Sequence, residues 1–364
     1  MPPPLWPPHN RQLQSRASHA ETGAKGSWRL GRTTAAGAVA AVTIAVVLIV
    51  ALHGGRSTPR AVSSSGTRSS AVRARHRRPI TSFAVGLRVL RFTDASRLIR
   101  LPDGSTEPRS LLTYVRYPAR GNPGVTDRSN APAAIGRFPL VVFGHGFAYA
   151  PNFYRRQLQA WARAGYVVAA PVFPLENPNA PGGPNESDLI NQPADMRFVI
   201  SRMLAASAAP AGPLRGLIDP ARIAVSGHSD GGDTALALAY NSRLRDPRVA
   251  AAIVLSGAEL PGLGGFDFPA GTPPLLATQG TADTVNPPSL TREFFDSARP
   301  PKYLLSLLGA EHLPPYSDQQ PQLAIVQRVT TAFLDAYLKH SARALRQLSS
   351  LGHVPGVASL VADP

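Results

Sequence analysis

The sequence predicts an α/β domain over residues 80–364, a mostly parallel sheet with helices on both faces. Three observations predict it. Short, almost continuous apolar runs recur at Leu140–Phe143, Tyr166–Ala170, Ile223–Val225, Ala250–Leu255, Leu275–Thr278 and Tyr303–Leu308. Helical stretches separate several of them, and strands apolar on both faces belong to parallel sheets covered on both sides. The third is Arg222–Gly232, RIAVSGHSDGG, where a β-type run enters a G-x-S-x-G turn and a helix-forming stretch leaves it.

Taken in order, Phe83–Phe92 and Ser110–Tyr117 alternate well enough to be paired edge strands, with turn-rich Leu101–Pro108 between them. Helices are expected at Phe153–Ala164, Gln192–Ala206, Asp233–Ser242, Ser289–Ser297 and Gln322–Lys339. The last repeats Leu323, Val326, Val329, Phe333 and Tyr337, a one-faced apolar stripe. Between Leu255 and Leu275 lies SGAELPGLGGFDFPAGTP, residues 256–273, too short and too rich in Gly and Pro for a helical lid.

The chain of 364 residues carries a formal net charge of +16 and no cysteine. Residues 1–79 hold 12 of the 38 basic residues and one acid, Glu21, so the high pI belongs mostly to this arm. The arm lacks interleaved aromatics and any nucleic-acid-binding motif, which argues against a nucleic-acid partner. The absence of cysteine excludes disulfides, thiolate zinc sites and thiol nucleophiles.

Within the arm, Ala35–Leu52 runs 18 residues without a charge. As a helix it spans roughly 27 Å, close to the hydrocarbon thickness of a bilayer. Residues 35–54 are therefore expected to form a transmembrane anchor, after a short basic cytoplasmic tail at 1–34 and before a disordered basic linker at 55–79. Lys25, Arg29 and Arg32 precede the span while Arg56 and Arg60 follow it, a slight positive-inside bias that puts residues 80–364 outside the cytoplasm. The competing reading is a cleaved signal peptide and secretion. The 34 preceding residues and the lack of a clean A-x-A site oppose it.

Ligands of parallel sheets bind beyond the C-terminal strand ends, so the residues that follow each strand carry the chemistry. Gly144-His145-Gly146-Phe147 follows the first parallel run; the Phe147 N–H, with the Asp230 N–H, is placed to hold an oxyanion. His145 is expected to hydrogen-bond its own loop. Ser229 occupies the elbow as nucleophile. Asp283, after Leu275–Thr278, would orient a histidine, with Glu259 as the rival acid. His312, beyond Tyr303–Leu308, would accept the serine proton and return it to the leaving group. Asp195 is expected to cap the dipole of its helix as a structural acid. Phe147, Tyr149, Phe266, Phe268 and Tyr316 are available to line an open acyl groove, and the irregular loop 171–193 borders it.

The order Ser229, Asp283, His312, together with TYVRYP (113–118), FGHGF (143–147), NQPADMRFVI (191–200), GHSDGG (227–232), GTADTVNP (280–287) and GAEHLPPY (309–316), resembles the α/β-hydrolase superfamily. The nearest neighbourhood is similar to the lid-less esterases related to dienelactone hydrolase, platelet-activating-factor acetylhydrolases and bacterial polyester hydrolases. Ser229 stands where dienelactone hydrolase has a cysteine, so dienelactone chemistry does not follow. The resemblance implies an α/β-hydrolase fold and a serine carboxylic-ester hydrolase working through an acyl-enzyme, on a small-molecule or lipid ester, with no metal and no organic cofactor. An acyltransferase or peptidase with the same triad, and a non-catalytic envelope binding protein, are the alternatives. Ester identity and oligomeric state are not encoded in these motifs.

Overall fold

The computed structural model describes residues 82–364. The expected tail, transmembrane anchor and linker at 1–34, 35–54 and 55–79 lie outside the described residues. Among the described residues, no helix is long and apolar enough to cross a membrane.

Ten strands form one sheet in the order β10-β9-β8-β7-β6-β4-β5-β2-β1-β3. The six expected parallel runs are β4 (Phe138–Gly144), β5 (Val167–Pro171), β6 (Ile218–His228), β7 (Val249–Leu255), β8 (Leu275–Gly280) and β9 (Lys302–Leu307). They pair in parallel throughout. β4 and β5 lie to one side and β6 to β9 to the other, so the strand order reverses at β4/β6. The crevice beyond their C-terminal ends is where this architecture binds ligands.

Helices cover both faces. α2 (Gln192–Ala208), α3 (Asp230–Tyr240) and α4 (Pro288–Ser297) bury Met196, Val199, Leu236 and Phe294 against one face. On the other, α1 (Arg155–Arg163), α6 (Gln322–Leu338) and α7 (Ala342–Gly352) bury Leu158, Trp161, Val329, Phe333 and Leu348; the short α5 (Pro314–Ser317) precedes α6. Every residue of α3 is buried, its C-terminal half Ala235–Tyr240 apolar and its first turn carrying Asp230 and Asp233. Residues 256–274 contain turns and no helix, as their Gly/Pro content predicts.

Several boundaries differ from expectation for identifiable reasons. β1 (Ala84–Arg100) and β2 (Thr106–Ala119) form a far longer antiparallel hairpin than the two short runs predicted. The turn-like TDASR is absorbed as an irregularity between Asp94 and Leu98, where Asp94 Oδ1 accepts from the Ser96 amide at 3.1 Å. Nor are these edge strands. β2 pairs with β5, and the two-residue β3 (Arg128–Ser129) flanks β1. α3 starts at Asp230, three residues before its predicted start, because the helix begins directly at the elbow. α7 and the edge strand β10 (Ala358–Asp363, antiparallel to β9) were not expected.

Candidate active site

The elbow is built by three glycines in contact. A Cβ on Gly227 would stand 1.9 Å from the Gly231 carbonyl oxygen, and one on Gly231 would stand 2.2 Å from the Gly144 carbonyl oxygen. No side chain fits at either, which is why β6 can turn into α3 within one residue. That residue is Ser229, with φ 54° and ψ −126°. Such a conformation costs a non-glycine residue about 1–3 kcal/mol and persists only where the surroundings impose it. Two backbone bonds do so here: the Ser229 amide donates to Leu255 O at 3.0 Å, and the Ser229 carbonyl accepts from the Asp233 amide at 2.9 Å.

The loop after β4 lies directly against this elbow. A Cβ on Gly146 would meet Ser229 Cβ at 3.0 Å and His228 Nδ1 at 3.2 Å. Phe147, next in the chain, is half-buried. Asp230 opens α3, and the first amides of a helix have no intrahelical acceptor. The two residues expected to supply oxyanion donors thus follow directly on Gly146, which lies against Ser229, and on Ser229 itself.

His145 behaves as expected of a structural residue. It is fully buried, its Nε2 accepts from the Phe173 amide at 3.0 Å, and Nδ1 donates to Gly146 O at 2.9 Å. Burial pulls its pKa down to about 4, so it stays neutral and braces the loop.

Of the two rival acids, Asp283 meets the histidine. Its Oδ2 lies 2.8 Å from His312 Nδ1, and its Oδ1 accepts from the Val285 and Asn286 amides at 2.9 Å each. Gln279 Nε2 adds a third donor, to Oδ2 at 3.1 Å. Three donors anchor the carboxylate before it touches the ring. Glu259 is half-buried instead, and burial with repulsion from Glu293 raises its pKa to about 6. The described hydrogen bonds do not join Ser229 Oγ to the His312 ring. The two are gathered through His228, the serine's neighbour, whose ring centroid is 4.5 Å from that of His312 and whose Nε2 lies 3.0 Å from the His312 carbonyl oxygen.

Tyr316 and Phe268 correct the expected groove. Both are buried in the core: Tyr316 bonds Ser256 Oγ at 2.9 Å and Thr278 Oγ1 at 3.2 Å, and Phe268 packs on Tyr240 with ring centroids 5.1 Å apart. Phe147, Tyr149 and Phe266 keep partial exposure. Asp195 is in the first turn of α2, as expected, but fully buried and paired with Arg109 at 2.6 Å and Arg97 at 2.8 Å. Those two arginines sit in the hairpin, and Arg109 also pairs with Asp188 at 2.5 Å, which ties the loop bordering the site to the hairpin.

Sequence reasoning missed an acid cluster on the α3 side. Glu176, Asp230 and Asp233 are all buried. Burial raises the Glu176 and Asp233 carboxyls well above the usual range and Asp230 to about 7, with Glu186 adding repulsion at Asp230. The GHSDGG motif holds one of these acids, Asp230, and Asp233 follows it directly, but only tertiary packing brings Glu176 to them. Among the described residues, no group of three or more His, Asp or Glu side chains converges as a metal site.

Comparison with known proteins agrees with this architecture. A chlorophyllase family model matches residues 125–257, which run through β3 to β7 and include the elbow but make up less than half of the chain. Among solved structures, a ferulic acid esterase from Streptomyces cinnamoneus superposes with a TM-score of 0.55 at 22% identity, covering 73% of this chain and 94% of that one. No curated protein matches by sequence. The fold is that of the α/β-hydrolases. It is shared by 1087 matching chains, so the reaction has to be argued from the site.

Proposed function

We propose that this α/β-hydrolase is a serine carboxylic-ester hydrolase that works through an acyl-enzyme. The observation that carries the reading is the Asp283–His312 bond of 2.8 Å, with His312 packed against His228, the neighbour of a serine held at φ 54° on a glycine elbow. In the reaction, His312 Nε2 takes the Ser229 proton as Oγ attacks the ester carbonyl. Asp283 keeps Nδ1 as the donor and stabilises the imidazolium. The Phe147 and Asp230 amides receive the oxyanion, each such donor contributing about 3–4 kcal/mol to the transition state. His312 then protonates the alkoxide leaving group. A water molecule, deprotonated by the same ring, releases the acid from Ser229. The match to the chlorophyllase model and the likeness to a ferulic acid esterase support ester cleavage rather than a binding role.

Hydrolysis of a short p-nitrophenyl ester should vanish in Ser229→Ala, and a fluorophosphonate probe should label Ser229. Hydrolysis that survives the substitution overturns the mechanism, while a wild-type chain that takes no label points to the binding protein. Transfer of the acyl group to an added alcohol in preference to water would make the protein an acyltransferase. Residues 35–54 are proposed to anchor the enzyme with its catalytic domain outside the cytoplasm. A reporter active only outside the cytoplasm, fused after residue 79, should be active; silence sinks the anchor orientation.

A further inference from the structure

Behind the site runs a chain of hydrogen bonds that the proposed mechanism leaves unused. The Gly146 amide lies 3.3 Å from Tyr154 Oη; Tyr154 Oη lies 2.8 Å from His228 Nδ1; His228 Nε2 lies 3.0 Å from the carbonyl oxygen of His312. Tyr154 and His228 are both fully buried. Their donor and acceptor roles follow from the ends of the chain. An amide can only donate and a carbonyl can only accept, so Tyr154 Oη accepts from Gly146 and His228 donates from Nε2. His228 Nδ1 must then accept, and the tyrosine hydroxyl proton is directed to it. Every group in the chain is satisfied by one tautomer of a neutral ring.

Burial enforces that neutrality. It drives the His228 pKa well below 6.5, with His312 repelling a second positive charge nearby. It also drives the Tyr154 hydroxyl well above 10, so neither group gains or loses a proton in the working range. Aromatic contacts hold both rings in place. Tyr154 lies 4.9 Å from Phe143 and 5.4 Å from His228 between ring centroids, and His228 lies 5.1 Å from Tyr316.

The three anchor points are the ones catalysis needs in register. Gly146 precedes the oxyanion donor Phe147. His228 precedes the nucleophile. His312 is the base. They come from the ends of β4, β6 and β9, which are far apart in the chain. We infer that Tyr154 and His228 are positioning residues, a neutral hydrogen-bond relay that locks the oxyanion loop, the serine elbow and the catalytic histidine into one geometry.

This inference rests on the esterase reading for its kinetic consequence but not for its chemistry. Tyr154→Phe keeps the ring and its packing while leaving the Gly146 amide and His228 Nδ1 without partners. Misplacement by a fraction of an ångström at a reacting centre typically costs about tenfold to a hundredfold. In the full chain, kcat for p-nitrophenyl acetate, counted per fluorophosphonate-reactive site, should fall by about that factor while KM changes less than about threefold. Inhibition by butylboronic acid, whose adduct on Ser229 mimics the tetrahedral oxyanion, should weaken in step with kcat. A purely structural tyrosine would lower Tm and leave both quantities per active site unchanged, and that result overturns the relay.

Should Tyr154→Phe fail to fold, the wild-type chain labelled with ¹⁵N at histidine decides the matter. One ring that carries its proton on Nε2 and does not titrate between pH 5 and 9 is the expected signal for His228. With the His228 signal assigned by its loss in His228→Asn, a proton on Nδ1 of that ring, or a charge on it at pH 6, overturns the relay. This measurement needs no substrate. A wild-type chain inert to esters and to the probe would therefore sink the esterase reading without touching the tautomer result.

Discussion

The two flanks of Ser229 solve the problem of buried polar groups in opposite ways. On the β8–β9 side, Asp283 meets its histidine and three donors, Tyr316 meets two hydroxyls, and His228 is bonded at both nitrogens. On the α3 side, Glu176 Oε1, Asp230 Oδ2 and Asp233 Oδ2 are buried and meet no N–H donor. The cation nearby, Arg109, is committed to Asp188 and Asp195 at 2.5 and 2.6 Å. Each carboxyl has one oxygen without a partner, although Glu176 and Asp233 accept from Gln192 and the Ala258 amide through the other, and burial so incomplete in donors favours the protonated form. The first flank is preorganised by hydrogen bonds and can stabilise charge as it develops. Below about pH 7 the second stays near neutral, which keeps a fixed negative charge away from the oxyanion that the Asp230 amide is proposed to hold.

The largest expected effect tests the preorganised flank. Asp283→Asn keeps the shape but favours the wrong histidine tautomer, and kcat for a p-nitrophenyl ester should drop by about 10⁴. A loss under tenfold would remove Asp283 from the mechanism. Next comes the ion cluster: Arg109→Met leaves Asp188 and Asp195 without their shared cation and should cost about 3–5 kcal/mol in urea unfolding. Arg97 still reaches Asp195, which favours the lower end of that range.

The acid flank is tested by pH. The folded Asp230 carboxyl sits at about 7 against 3.8 when unfolded, so between those values the folded chain holds the proton that the unfolded chain has released. The contribution of Asp230 to stability should fall as pH rises from about 4 to about 7 and level off above. Asp230→Asn abolishes that proton uptake. It should raise Tm at pH 8 relative to wild type and change it little at pH 4, as thermal melts across that range would show; a variant destabilised equally at both values refutes a neutral acid. The smallest effect belongs to the rejected acid. Glu259→Gln should leave kcat within about twofold, and a larger loss would reopen the choice between Glu259 and Asp283.

Legibility followed the range of the interactions. The parallel strands were legible because each is a short, uninterrupted apolar run, and the elbow because Gly227 to Gly231 are contiguous. α7 escaped notice since ARALRQLSSLG buries only Ala344, Leu348 and Gly352, too thin a stripe to separate from a polar tail. β10 is six residues long and half exposed, and it is a strand by virtue of pairing with β9. Tyr316 and Phe268 were offered to the groove because an aromatic after a strand end looks alike whether it faces solvent or core. Tyr154 lies within a predicted helix, and nothing local marks its hydroxyl as the partner of a histidine 74 residues away.

By itself, the sequence determined the layered α/β architecture, the absence of a helical lid and the identity of the strained serine. Each of these depends on backbone sterics and hydrophobic pattern within short contiguous segments. The sequence also favoured Asp283 over Glu259 as the partner of His312; only the tertiary structure decided that Tyr154 and His228 join three strand ends, and that Glu176 joins the acids beside Asp230. Those are contacts between strand ends that lie close in the sheet but far apart in the chain. The physical reason is that a hydrogen bond or a buried charge is settled by which groups come within about 3 Å of one another in the folded state.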